Sequence, residues 1–229
     1  MEENRKADIL VEVEADIKDD FDYQLLGFTG KKIGNGIPVF LGLPANITPE
    51  SLMNLGAQLN TSGAYGMYHI VGVTPEAMTL KEALGGKEPK RKVTITNNDL
   101  QEVKDYFSPR SGAIDFALFG CPHLTLNQIA EIASIVKDKK LKVPTFILTG
   151  SPTKELAQRM GYYDQILEAG GHLVEDTCID QPPFWTGMKG KLGVTESPKC
   201  AFYSWRRDIN YIVRDLRTCV EAAIEGEIK

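Results

Sequence analysis

The sequence predicts an α/β protein, a mostly parallel sheet with helices on both faces. Short apolar runs alternate with helical patterns along the whole chain. Between 113 and 175 the order is strand, helix, strand, helix, strand, which calls for right-handed parallel crossovers. The run Phe116-Ala117-Leu118-Phe119 is continuously apolar, as a strand covered on both faces is. At 229 residues the chain suffices for one large domain or for two lobes divided as 1–108 and 109–229.

Residues 9–15 alternate apolar and acidic positions and predict a half-exposed strand, and 37–43 predict a more buried one. Thr48-Pro49-Glu50 opens a helix toward Leu59, with a capping hydroxyl and a proline in its first turn. Residues 67–73 read as a strand, and Thr74-Pro75-Glu76 repeats the cap-and-proline start for a helix ending near Gly85-Gly86. A basic linker over 87–92 precedes a strand at 93–96, and Asn98-Asp99 caps a helix closing at Phe107-Ser108-Pro109. The strand 113–119 follows, then a helix over 126–138, a strand at 143–148, a helix over 153–168 and a strand at 172–175. Residues 179–205 carry many Gly and Pro and read as a long loop, of the kind that is more often functional than idle. A final helix over 208–226 places Ile209, Ile212, Val213, Leu216, Val220 and Ala223 on one face.

Composition excludes several functions. With 26 basic and 31 acidic residues the net charge is −5, and no basic stripe is present to hold a nucleic-acid backbone. No apolar stretch approaches the roughly 20 residues that cross a bilayer, and the polar start Met1-Glu2-Glu3-Asn4-Arg5-Lys6 has no apolar leader. A cytoplasmic protein without nucleic-acid or membrane partners is expected. The four cysteines, Cys121, Cys178, Cys200 and Cys219, show no CxxC spacing, so thiols or metal ligands are expected rather than disulfides. Cys219 falls in a helical pattern and reads as core.

Parallel strands bring their carboxyl ends to one edge. Gly120-Cys121-Pro122-His123, Thr149-Gly150-Ser151 and Asp176-Thr177-Cys178 therefore converge. Each set also has a plain structural reading: Cys121 as a small core hydrophobe, Thr149 to Ser151 as a helix cap, Asp176 as a turn residue. Two thiols with a nearby imidazole suit a soft metal or an iron–sulfur centre but are too few for either, and Cys200 is the further thiol in the loop. A cysteine nucleophile with His123 or His69 as base is the other chemistry these residues allow. The absence of a G-x-S-x-G elbow, a P-loop and a G-x-G-x-x-G fingerprint argues against serine hydrolases, nucleotide hydrolases and dinucleotide oxidoreductases. Between 60 and 77, small and hydroxyl residues including Thr61, Ser62 and Gly63 form a Ser-Gly turn whose amides suit a carboxylate or phosphate.

Together with Ser197-Pro198-Lys199-Cys200-Ala201-Phe202-Tyr203, these segments resemble the aconitase X family, in its large catalytic subunit. The resemblance runs from Ile9 to Cys219-Val220-Glu221-Ala222-Ala223, and the block at 61–77 is its most specific part. It implies an aconitase-like fold and a hydro-lyase acting on a small hydroxy acid such as mevalonate 5-phosphate or cis-3-hydroxy-L-proline. It implies an iron–sulfur cluster or mononuclear iron held by three cysteines, Cys121 and Cys178 being two of them. Thr61, Ser62, Gly63 and His69 correspond to part of the substrate pocket, with Thr149, Ser151 and Asp176 as further substrate-binding groups. Ser197 and Lys199 correspond to a Ser-x-Lys element near the reacting carbon, the serine as base steadied by the ammonium, with His123 a third catalytic candidate. An open iron would act as Lewis acid on the leaving hydroxyl. Family large subunits extend well upstream of Met1, so the resemblance implies a C-terminal half, active only with a separate chain carrying the N-terminal half and third cysteine and with a small swivelling subunit. Phe202 stands where the family has a histidine, and Pro198 and Cys200 are also unusual there. A non-catalytic binding or regulatory module derived from the enzyme is the alternative reading.

Overall fold

The computed structural model describes residues 2–107 and 111–229, without the side chains of 183 and 184. The chain folds as two units, residues 1–104 and 105–229.

The first unit runs β1 (Ile9–Val13), α1 (Asp20–Phe28), α2 (Gly30–Ile33), β2 (Pro38–Leu41), α3 (Pro49–Gly63), β3 (His69–Ile70), α4 (Leu80–Ala83), β4 (Arg91–Ile95) and α5 (Asn97–Phe107). Its sheet is parallel in the order β3-β2-β1-β4. Because β1 lies between β2 and β4, only Glu12 escapes full burial, and the half-exposed strand expected from its alternation is instead a central one. Thr48 caps α3, its hydroxyl accepting from the Ser51 amide at 3.0 Å. The helix continues a turn past Leu59 to a left-handed cap at Ala64, so Thr61, Ser62 and Gly63 are helical rather than an open turn. Thr74-Pro75-Glu76 starts no helix. The Thr74 hydroxyl folds back onto Ile70, 3.1 Å from its amide and 3.2 Å from its carbonyl, and α4 starts at Thr79 through a capping box with Glu82. Asn98 and Asp99 lie inside the first turn of α5, where the Asp99 carboxylate accepts from the Thr96 amide at 2.8 Å. Of the expected helix end, Ser108 and Pro109 lie outside the described residues.

The second unit runs β5 (Gly112–Ala113), β6 (Phe116–Phe119), α6 (Leu126–Val136), β7 (Thr145–Thr149), α7 (Ser151–Arg159), α8 (Tyr162–Ala169), β8 (Gly171–Glu175), α9 (Pro182–Met188), β9 (Leu192–Thr195), α10 (Pro198–Ser204), β10 (Asn210–Val213), α11 (Leu216–Glu225) and β11 (Glu227–Ile228). A five-stranded parallel sheet is ordered β10-β9-β6-β7-β8, and β11 pairs antiparallel with β5. The α/β class with parallel sheets is as expected, but the sheet has five strands where three were expected.

The two added strands correct two expectations. Residues 179–205 are not a loop: they hold α9, β9 and α10, with β9 beside β6 at the sheet centre. Gly193 disguised that strand. A Cβ there would stand 2.5 Å from the Phe116 ring, so the sequence must break its apolar run at that point. The expected helix over 208–226 divides into β10 and α11 at Asp215, whose carboxylate accepts from the Thr218 amide at 2.9 Å. Ile212 and Val213 are thus buried strand residues that happened to fit a helical period. The expected helix over 153–168 breaks at Gly161, which turns left-handed between α7 and α8.

One face of the sheet presents Ala117, Phe119, Ile147, Leu173, Val194 and Ile212 to Ile129, Ile132 and Val136 of α6 and to Cys219, Val220 and Ala223 of α11. Each large side chain buried there stabilises the unit by about 1.5–3 kcal/mol against exposure. Cys219 is a core residue, fully buried, as its helical setting predicted. From β6 the chain builds β7 and β8 to one side, then returns to build β9 and β10 on the other. The direction reverses between β6 and β9, and the crevice beyond the carboxyl ends of such a pair is where open α/β sheets hold ligands.

Candidate active site

Gly120 leaves β6 at φ 103°, and a Cβ there would stand 2.3 Å from the Leu148 carbonyl oxygen, so only glycine makes this turn. The Cys121–Pro122 peptide bond that follows is cis. The turn is then fastened to β7: the Leu124 amide donates to the Leu148 carbonyl at 3.0 Å, and the Thr149 hydroxyl donates to the Leu124 carbonyl at 2.8 Å. Thr125 and Gln128 complete the descent into α6 with a capping box.

On the other side of the reversal, Thr195 ends β9, Glu196 and Ser197 follow it, and all three are buried. The Glu196 carboxyl accepts from the Gly120 amide at 3.0 Å. Ser197 caps α10, accepting from the Cys200 amide at 3.2 Å, and its hydroxyl donates to the Cys121 carbonyl. After β8, Asp176 takes a left-handed conformation and its carboxylate accepts from the Ser151 amide at 2.9 Å. His123 Nε2 lies 2.6 Å from the Thr177 carbonyl oxygen, to which it donates. Cys178 is exposed, its sulfur accepting from the Asp180 amide at 3.4 Å, and Asp180 pairs with Arg207 at 2.5 Å. Arg207 in turn lies over the Trp185 ring, 4.7 Å from its centroid.

Burial pushes the Cys121 thiol up to about 12; Lys199 opposes this, while charge on Glu196 and Cys178 adds to it. Burial also pushes Glu196 up to about 7, against the stabilising amides of Gly120 and Cys121 and the Thr195 hydroxyl. Asp176 is held below the ordinary carboxylate range by the amide and hydroxyl of Ser151. Cys200 is fully buried, hydrogen-bonded to Tyr211, and its thiol is raised well above the ordinary value by burial.

The second unit thus gathers Cys121, His123, Thr149, Ser151, Asp176, Cys178, Ser197 and Lys199 at the carboxyl edge of one sheet. The other four candidates form a separate set in the first unit. The chain direction puts the end of α3 and the start of β3 at the amino edge of their own sheet. There Thr61 donates to the Ala57 carbonyl at 2.9 Å, and Ser62 donates to the Gly27 carbonyl at 2.8 Å while accepting from the Gly30 amide at 3.1 Å. A Cβ on Gly63 would stand 2.3 Å from the Tyr65 ring, and buried His69 has Nε2 2.7 Å from the Arg5 carbonyl oxygen. Glu196 is the residue that the sequence left unnoticed. Its signal was a lone acidic residue directly after the apolar run that became β9.

Two thiols at one edge fit a soft metal as part of its ligand set. Among the described residues no group of three or more His, Cys, Asp or Glu side chains is placed to hold a metal ion. None of the described helices is long and apolar enough to cross a membrane.

Residues 7–105 match the family described as aconitase X second domain, and residues 114–225 match aconitase X third domain. The phosphomevalonate dehydratase large subunit of Thermococcus kodakarensis is 36% identical over 206 residues, covering 89% of this chain and 51% of that protein. The cis-3-hydroxy-L-proline dehydratase of Pseudomonas aeruginosa is 30% identical, covering 99% of this chain and 40% of that protein. Aconitase X of Thermococcus kodakaraensis, whose crystal structure is of the holo-form, superposes with a TM-score of 0.85 at 33% identity, over 97% of this chain and 56% of that one. The chain spans about half the length of the curated relatives it matches.

Proposed function

The chain belongs to the aconitase X family, and from that premise we propose that it is the catalytic part of a cytoplasmic dehydratase that eliminates water from a small hydroxy acid, mevalonate 5-phosphate ahead of cis-3-hydroxy-L-proline. The observation that carries this reading is the joining of the turns beyond the carboxyl ends of one parallel sheet at its topological reversal, with Ser197 bound to the Cys121 carbonyl and His123 bound to the Thr177 carbonyl beside Cys178. Higher identity to the phosphomevalonate dehydratase than to the hydroxyproline dehydratase supports the order of substrates.

Elimination needs a proton removed from carbon and a hydroxide released from its neighbour. Cys121 and Cys178 would hold an iron–sulfur cluster or mononuclear iron, which when bound supplies a Lewis acid for the departing hydroxyl. The resemblance gives the carbon-bound proton to Ser197, whose hydroxyl is here wholly buried and bound to the Cys121 carbonyl, so that role requires assembly with the other chains to free and expose it. Lys199 steadies the negative charge that a serine oxygen needs in order to act as base. Ser151 and Asp176 present polar groups to the substrate, with Asp176 fixing the Ser151 amide, whereas Thr149, expected among them, is wholly buried and secures the turn through the Leu124 carbonyl. His123 fixes the spacing of the two cysteine turns through the Thr177 carbonyl. The rest of the ligand set comes from a separate chain carrying an N-terminal half, together with a small subunit; the subunit naming of the phosphomevalonate dehydratase relatives supports such an assembly.

The test is anaerobic co-purification of the full chain with those two partners, followed by iron and sulfide analysis and assay of both substrates. The expected result is bound iron, lost in Cys121→Ser and Cys178→Ser, with turnover of the phosphorylated acid. Substrate binding without iron and without turnover would overturn the reading in favour of a non-catalytic module.

A further inference from the structure

Glu196 is an expensive residue to keep. It is 3% exposed, within a turn whose neighbours Thr195 and Ser197 are wholly buried, and a carboxyl group placed there loses nearly all of its hydration. What the fold obtains in return is an acceptor at the start of the Cys121 turn, its other oxygen taking the Thr195 hydroxyl at 3.3 Å. The register between β6 and β9 pairs Phe116 with Gly193 and Ala117 with Val194, so Gly120 lies beyond the ladder and its amide has no strand partner. The Glu196 carboxyl supplies one at 3.0 Å.

The next residue does the complementary thing. Ser197 donates its hydroxyl to the Cys121 carbonyl. Two successive residues after β9 therefore hold the turn on both sides of the Cys121 α-carbon, Glu196 taking the amide of the preceding residue, Gly120, and Ser197 taking the carbonyl of Cys121 itself. On the far side Gly120 is pressed against the Leu148 carbonyl, so the turn cannot retreat. The direction in which the Cys121 side chain leaves the backbone is set by that three-sided hold.

We infer that Glu196 is a positioning residue for Cys121, fixing the sulfur through the Gly120 amide rather than touching substrate or metal itself. The inference takes the ligand role of Cys121 from the proposed function, but the hold exists in this chain without any metal and is tested without one.

The experiment follows iodoacetamide labelling of each cysteine by peptide mass spectrometry in the full-length, metal-free chain, comparing the parent with Glu196→Gln and Glu196→Ala. The glutamine keeps an oxygen for the Gly120 amide and removes the charge; the alanine removes both. Cys178, exposed, reports reagent activity, and Cys200 and Cys219, fully buried, report unfolding. In Glu196→Ala, Cys121 labelling rises about tenfold, the scale of one lost buried hydrogen bond, while Cys200 and Cys219 stay protected. In Glu196→Gln it stays within about threefold of the parent. Equal acceleration in both variants would overturn the inference by making charge the cause. No acceleration in the alanine variant, or labelling of Cys200 and Cys219 alongside Cys121, would overturn it equally. If the labelling pattern holds while the assembled complex binds no iron, the hold stands and the dehydratase reading falls.

Discussion

His123 and Thr177 join the two cysteine-bearing turns: the imidazole Nε2 lies 2.6 Å from the Thr177 carbonyl oxygen, two residues beyond one thiol and one residue before the other. A carbonyl accepts only, so Nε2 carries a proton and donates it to this bond. Replacing His123 by Ala removes the tie. The expected loss is about 1 kcal/mol in urea unfolding, with iron retention in the assembled complex falling alongside it.

Gly120→Ala forces a Cβ onto the Leu148 carbonyl in a backbone conformation that L side chains rarely adopt. Strain of this kind costs about 1–3 kcal/mol, and the clash adds to it. The expected outcome is a lowered denaturation midpoint without a change in the slope of the transition.

Gly193→Ala places its methyl against the Phe116 ring. The cost is about 1–3 kcal/mol. It shrinks in a Phe116→Leu background, where the ring has been vacated, and a double-mutant cycle on unfolding free energies measures the coupling.

Asp99 gives a pH-dependent contribution in the first unit. Burial raises its carboxyl, but the Lys32 ammonium at 2.5 Å and the Thr96 amide and hydroxyl outweigh burial and hold it below the usual carboxylate range. A carboxyl lowered by folding stabilises the native state above its unfolded value of about 3.9, and that contribution is lost as pH falls through the folded value. Asp99→Asn should therefore be about 1 kcal/mol less stable than the parent at pH 7. The gap should close on acidification below about pH 4, as read from denaturant titrations across that range.

The sequence revealed the edge but not all of the sheet that makes it. The runs ending at Phe119 and Thr149 were legible because each is apolar, short and followed by a helix start, and the strand ending at Glu175 because Gly170-Gly171 closes the helix before it. β9 was hidden because Gly193 and Pro198 punctuate it as loops are punctuated, although the first is there to admit a ring and the second to start α10. β10 was hidden because Ile209, Ile212 and Val213 fit a helical period by coincidence, and only pairing with β9 decides their conformation. The hydroxyls at 61 and 62 looked available in the sequence, but the extra turn of α3 engages them locally. Glu196 went unread because its meaning is wholly tertiary: nothing near it in the chain shows that its partner is an amide 76 positions earlier.

That separation has a temporal side. During synthesis the segment around Cys121 leaves the ribosome well before the stretch that will clasp it, and closing so wide a gap is among the slower events available to a folding chain. The Cys121 turn is thus unclasped in the nascent protein until Glu196 and Ser197 have been made, so the order of manufacture decides when the direction of this side chain is fixed.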